Sequence, residues 1–258
     1  MKVVILAGGL GTRIRDVADD IPKPMIPIGP YPIIWHIMKT YAHFGHKEFV
    51  ICLGQKGQVI KNFILGYEAH TRDFTITFGN KGGVEYHSGN DESDWSITLV
   101  DTGLNAMTGA RIARIRKYVG DEEFMLTYGD GVSDVNISSL IEFHRSHGKV
   151  LTVTGVRPPG RFGEFVAKPD GEIVEFNEKP QTTEGRISGG FFVASPRVFD
   201  YLDDREDLVF ERGPMQRLAK GGQLMMFPHD GFWQPMDTSR EYQLLNALYA
   251  EGRAPWVR

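Results

Sequence analysis

The sequence has almost no cysteine, no long apolar run and no surplus of positive charge, and each shortage removes a class of protein. Cys52 is the single cysteine among 258 residues, so no internal disulfide can form and a reducing, cytoplasmic setting is expected. It sits in the apolar residues 49–53 (FVICL) with no basic residue or histidine beside it, which reads as a small core residue rather than a nucleophile. No stretch approaches the ~20 apolar residues that cross a bilayer, so no membrane partner is expected. The opening run, residues 3–7, is too short for a signal-peptide core and has only Lys2 before it. A formal net charge of −4 leaves no global basic field for nucleic acid, so any anion site must be local. Internal repeats, low-complexity tracts and Ser/Pro-rich linkers are also missing. With 41% apolar and 24% charged residues the chain can bury a sizeable core, and one domain over residues 1–258 is expected.

What is present is an alternation of strand and helix patterns. Residues 3–7, 48–53, 124–127 and 150–156 are apolar runs of buried-strand length. Between them, residues 32–44, 58–67 and 137–147 carry helical periodicity, with Pro32 at a first turn and Gly45 at a stop. A last helix is expected over 240–251. This order predicts an α/β fold: a Rossmann-like, mostly parallel sheet flanked by helices, with ligands beyond the carboxyl ends of the strands. Residues 74–78 and 95–100 read as short strands of a small antiparallel β excursion, and 79–94 between them as a loop or mobile tip. Shorter β pieces are expected at 164–168, 173–176 and 191–193.

The first strand runs into ILAGGLGTR, residues 5–13. A tight turn needing positive φ explains one glycine comfortably and three poorly. The dinucleotide fingerprint fails because position 14 is Ile14, and the P-loop fails because Gly11-Thr12-Arg13 stands where Gly-Lys-Ser/Thr belongs. What survives is a glycine loop whose backbone N–H groups form an anion nest, with the planar fork of Arg13 beside it. Pro22 and Pro24 hold Lys23 between them; it is either a solvated loop lysine or a phosphate contact delivered to a fixed place. Asp130, between Gly129 and Gly131, is either a turn aspartate or a metal ligand at a strand tip. Asp237, before Thr238, is either a helix cap or a second hard oxygen ligand. The Thr108-Gly109-Ala110-Arg111 stretch opens a helix, a ready anion or base contact.

The LAGGLGTR stretch followed by Lys23-Pro24-Met25 resembles the sugar nucleotidylyltransferases. Pro32 to Lys39 (PIIWHIMK), Tyr128 to Val132 (YGDGV) and Gly231 to Thr238 (GFWQPMDT) resemble their cytidylyl branch, and the likeness runs from Met1 to Trp256. The resemblance implies CTP and a sugar 1-phosphate, α-D-glucose 1-phosphate, as substrates, CDP-glucose and pyrophosphate as products, and Mg²⁺ held by Asp130 and Asp237. It implies a nucleotide-binding N-terminal half, with Leu6, Ala7, Gly8, Gly9, Gly11, Thr12, Arg13, Lys23, Thr108, Arg111 and Gly129. It implies a sugar-phosphate-binding C-terminal half, with Glu178, Lys179, Ser188, Gly189, Gly190 and Trp233. Arg13, Lys23, Asp130 and Asp237 carry catalysis on this reading. Symmetric homo-oligomers are implied too, with residues 79–94 as a subunit contact.

The implied chemistry suits the residues. A sugar-phosphate oxygen is already anionic and needs no general base, and no G-x-S-x-G motif is present. The obstacle is repulsion: two unit charges about 4 Å apart repel by ~4 kcal/mol at an effective dielectric near 20. Catalysis is then mostly neutralisation and positioning. Departures from the branch pattern fall on the acceptor side: Ser188 stands where relatives commonly have Asn, Pro30-Tyr31-Pro32 replaces Gly-x-Pro, and Gln55 replaces Tyr. A same-fold enzyme using another acceptor or NTP is the alternative; a non-catalytic nucleotide-binding regulator is the other, and it has no need of two metal carboxylates. His36, His43 and His46 read as packing or surface residues rather than zinc ligands. His144 and His147 read as a solvated helix face.

Overall fold

A computed structural model describes residues 1–9, 20–79, 82–87, 89, 91–158, 164–167, 173–177 and 185–257. Of the expected site residues, Gly11, Thr12, Arg13, Glu178 and Lys179 lie outside the described residues.

The central sheet has seven strands: β1 (Val3–Leu6), β2 (Glu48–Leu53), β3 (Ser96–Asp101), β4 (Phe124–Tyr128), β5 (Leu151–Val156), β6 (Ile187–Ala194) and β7 (Leu224–His229). They lie in the order β7-β5-β6-β4-β1-β2-β3. Pairing is parallel except at β6, which runs against both β5 and β4. Side-chain alternation along the strands sorts the core into two layers. Val3, Ile5, Phe49 and Ile51 face one way, and Val4, Leu6, Val50 and Cys52 the other. Cys52 is a core residue, as expected, and burial pushes its thiol up to about 12.

The first layer is covered by α1 (Ile33–His43), α2 (Gly57–Leu65), α4 (Ile137–His147) and α6 (Ser239–Ala250), the second by α3 (Thr108–Arg114) and α5 (Gly213–Lys220). The start of α1 follows Pro32, held extended at φ −66°, ψ 154°. Its Ile33, Ile34, Ile37, Met38 and Tyr41 are buried at helical spacing. Each such side chain contributes ~1.5–3 kcal/mol over leaving it in water. Gly45 at φ +83° ends the helix, a conformation that costs glycine little.

The middle of the chain differs from expectation. Ser96–Asp101 is not part of an antiparallel excursion: it runs parallel to β2, Glu48 opposite Ser96 through Leu53 opposite Asp101. As the sheet's outer edge it keeps one exposed side, which mimics the alternation of a hairpin strand. The antiparallel partner of Phe74–Thr77 is Gly83–Tyr86, within the stretch expected as loop. The strand β6 begins four residues earlier than expected, because Gly189 and Gly190 hide its pattern.

His144 and His147 are also not a solvated face. His144 is 1% exposed and its Nδ1 accepts from Thr152 Oγ1 at 2.8 Å. That hydroxyl accepts in turn from His147 Nε2 at 2.8 Å, and Lys149 N–H donates to His147 Nδ1 at 3.0 Å. Burial holds the pKa of His144 down at about 4.

Candidate active site

In the register of β1 and β4, Leu6 lies opposite Tyr128, so both strands end together. Gly8-Gly9 and Gly129-Asp130 therefore emerge side by side, tied by a Gly129 N–H to Leu6 O bond of 3.0 Å. Neither Gly8 nor Gly9 has a positive φ. At Gly8 the requirement is close approach: a Cβ would stand 2.3 Å from the guanidinium carbon of Arg111. At Gly9 the space beyond the backbone is open.

Arg111 is 4% exposed and packs against the loop. It donates to Gly8 O at 3.0 Å, and to Leu53 O, Thr102 Oγ1 and Gly103 O at 2.8 Å each. Its fork thus joins the tips of β1, β2 and β3. Gly54 is glycine for the same reason as Gly8, since a Cβ there would meet the guanidinium at 2.5 Å.

Lys23 leads a short 3₁₀ turn, Lys23–Met25, after an extended Pro22. Pro24 is buried, and a Cβ on Gly129 would come within 3.0 Å of it. The ammonium so delivered donates to Asp130 Oδ2 at 2.6 Å and to Asp237 Oδ1. Burial alone would lower the pKa of Lys23, but the Asp130 and Asp237 carboxylates outweigh it and raise the value. The solvated-lysine alternative does not hold: the side chain is 11% exposed.

Two devices bring the acids together. Gly131–Ser133 pairs antiparallel with Trp233–Pro235, and Met236 N–H donates to Asp130 O at 2.8 Å. At the start of α6 the cap is Thr238, not Asp237: Thr238 and Glu241 form a reciprocal capping box. Glu241 Oε2 also accepts from Asp237 N–H at 2.7 Å. The Asp237 carboxylate is left facing the ammonium.

These groups line a cavity of about 650 Å³. The lining includes Leu6, Ala7, Gly8, Gly9, Arg111 and Gly129, together with Lys23, Asp130 and Asp237. A wall not foreseen from sequence is residues 104–107, a loop segment without periodicity. Thr108 and Tyr128 also line it, and both hydroxyls donate to Glu211, the Thr108 bond at 2.8 Å. Glu211 carried no sequence signal. The opening of α3 is not a free anion contact: Gly109 N–H donates to Leu208 O at 2.9 Å and Met107 N–H to Glu206 O at 2.8 Å. Of the residues expected on the sugar side, the described ones, Ser188, Gly189, Gly190 and Trp233, are not in this lining, although Gly190 packs against the lining residue Tyr128. Trp233 Nε1–H donates to Gly189 O at 2.7 Å, and Ser188 is exposed at the start of β6. Gly190, at φ +77°, leaves room for the Tyr128 ring, 2.5 Å from where a Cβ would be.

A mostly parallel sheet whose strand tips hold a glycine loop, a largely buried lysine and two convergent carboxylates defines a phosphate-handling enzyme class, and the chain belongs to the nucleotidyl transferase family, whose model matches residues 2–244. It is similar to the glucose-1-phosphate cytidylyltransferase of Salmonella typhimurium, 48% identical over 257 residues, which cover 99% of this chain and 98% of that one. The probable glucose-1-phosphate cytidylyltransferase of Bacillus subtilis is 42% identical, with 99% of each chain covered. Among solved structures, HddC from Yersinia pseudotuberculosis complexed with GMP-PN superposes with a TM-score of 0.69 at 22% identity, over 96% of this chain and 99% of that one; that likeness is one of fold. The sheet order and the expected α/β class agree.

Proposed function

We propose that the protein makes CDP-glucose and pyrophosphate from CTP and α-D-glucose 1-phosphate, with Mg²⁺ held by Asp130 and Asp237. The observation that carries the reading is the meeting of Asp130, Asp237 and Lys23 in the lining of a cavity beyond the strand tips. The full-length similarity to the Salmonella cytidylyltransferase supports the choice of substrates.

The donor set fits the metal. Two hard carboxylates converge on one cation, and Mg²⁺ uses one or two carboxylates with waters and phosphate oxygens completing its shell. Bound there, it would supply positive charge against the triphosphate and polarise the α-phosphate. Lys23 then turns its donors to the α-phosphate, where charge develops as a sugar-phosphate oxygen forms the new P–O bond. The bond to the β-phosphate breaks, and pyrophosphate leaves with that electron pair. The loop at Gly8-Gly9, with Gly11, Thr12 and Arg13, holds the departing phosphates through backbone N–H groups and a guanidinium. Arg111, which lines the cavity and bonds the Gly8 carbonyl, holds the loop's shape on the nucleotide side. Glu178 and Lys179, with Ser188, Gly189, Gly190 and Trp233, take the sugar phosphate. The chain works in the cytoplasm as a homo-oligomer, with the stretch 79–94, which holds the largely exposed strand Gly83–Tyr86, as a subunit contact.

Pyrophosphate release measured across four NTPs and a panel of sugar phosphates tests the reading. CTP with glucose 1-phosphate is expected to be fastest. A preference for another acceptor points to Ser188, and no release with any pair defeats the proposal.

A further inference from the structure

His36 lies in the Trp35-His36-Ile37-Met38 stretch and is 1% exposed. Both ring nitrogens are engaged: Nε2–H donates to Ile28 O at 2.9 Å, and Nδ1 accepts from the Trp256 indole N–H at 3.4 Å. Ile28 closes the segment that starts at Lys23. Trp256, also 1% exposed, stacks on Phe232 with ring centres 5.4 Å apart and planes at 24°. Phe232 immediately precedes the Trp233–Pro235 strand that leads to Asp237, and its carbonyl accepts from Ser133 Oγ at 2.8 Å. A second clamp runs alongside. Asn246 Oδ1 accepts from Gly29 N–H at 2.9 Å, and the Tyr249 ring fills the space where a Cβ on Gly29 would stand. Both residues belong to α6, the helix that Asp237 precedes.

We propose that Trp256 is a positioning residue for the acid pair: packed between Phe232 and His36, it fixes the Asp237-bearing segment against the turn that carries Lys23. It touches neither carboxylate. This rests on the reading of Asp130 and Asp237 as the metal-holding pair. Outer partners that orient metal ligands typically change affinity by ~10–100-fold when removed. Generic loss of core packing has no such specificity.

The test measures Mn²⁺ binding by electron paramagnetic resonance, in the presence of CTP, on the full chain. Trp256→Ala is expected to weaken binding by about tenfold or more, and Trp256→Phe, which keeps the stack on Phe232, to recover most of it. Leu218→Ala removes a fully buried side chain from the layer on the other face of the sheet. It is expected to lower the melting temperature comparably and leave Mn²⁺ binding unchanged. Should Trp256→Ala not fold, Trp256→Leu is read in its place. Unchanged Mn²⁺ affinity in a folded Trp256→Ala or Trp256→Leu chain overturns the proposal, as does equal weakening in Leu218→Ala. Wild-type Mn²⁺ binding that survives Asp237→Asn instead defeats the metal assignment beneath it.

Discussion

Replacing Lys23 by methionine isolates the charge balance in the cavity lining. An oxygen from each acid lies within hydrogen-bond reach of one nitrogen, so the two carboxylates stand about 5 Å apart. At that separation and an effective dielectric near 20 they repel by ~3 kcal/mol once the ammonium is gone. The acids are 37% and 34% exposed, and solvent screening takes roughly half of this. Methionine also removes an ammonium that had to be desolvated, which trims the loss to ~1 kcal/mol, or about 2–4 °C in melting temperature. Mg²⁺ reverses the order of effects. On the proposed metal assignment, a dication in the wild type has to displace or share with the Lys23 ammonium, whereas in Lys23→Met the pair is uncompensated and gains more from it. Differential scanning calorimetry with and without saturating Mg²⁺, in the absence of nucleotide, reads both quantities. The variant should melt lower than wild type without metal and show the larger upward shift with it. Equal Mg²⁺ shifts in the two proteins, or a variant as stable as wild type in chelator, would refute the reasoning.

Asp130→Asn and Asp237→Asn should each cut turnover by at least ~10²-fold while far-ultraviolet circular dichroism stays at wild type, and a full Mg²⁺-dependent rate in either variant ends the metal assignment. His144 binds its proton at about 4 in the fold against ~6.5 unfolded. The unfolded chain therefore takes up more protons in that window, and stability falls as pH drops through it, by ~2 kcal/mol between pH 7.5 and pH 5, levelling off below about 4. Urea titrations at the two pH values check this, and His144→Gln should flatten the difference. Gly8→Ala drives a methyl into the Arg111 guanidinium and should lower both melting temperature and CTP affinity, whereas Gly9→Ala, facing open space, should leave the melting temperature within about 1 °C of wild type by thermal denaturation.

The legible parts of this molecule are those where one face is wholly buried. Residues 48–53 and 137–147 match their expected bounds because burial made their patterns unambiguous. The edge strand at Ser96–Asp101 was misread for the converse reason: half exposure looks alike in parallel and antiparallel settings. His144 was misread by residue type, although Ile137, Leu140, Ile141 and His144 follow the i, i+3, i+4, i+7 spacing of a buried face. The Thr238-Ser239-Arg240-Glu241 capping box was readable, and would have freed Asp237 from the role of cap. The approach of Asp237 to Asp130 was beyond local pattern, since a short ladder between distant segments creates it. Arg111 was expected on the nucleotide side; its bond to the carbonyl of Gly8 is a matter of packing, invisible in spacing.

The lysine and its two acids are separated in the chain by 107 and 214 residues from the first. A nascent chain therefore has one acid in place long before the other is made. Until the last third of the polypeptide has docked, the cleft lacks one of the two carboxylates of the proposed metal pair. Catalytic competence should consequently appear late and all at once in a refolding experiment, behind the signals of sheet formation, which makes regained turnover a clock for the final docking step.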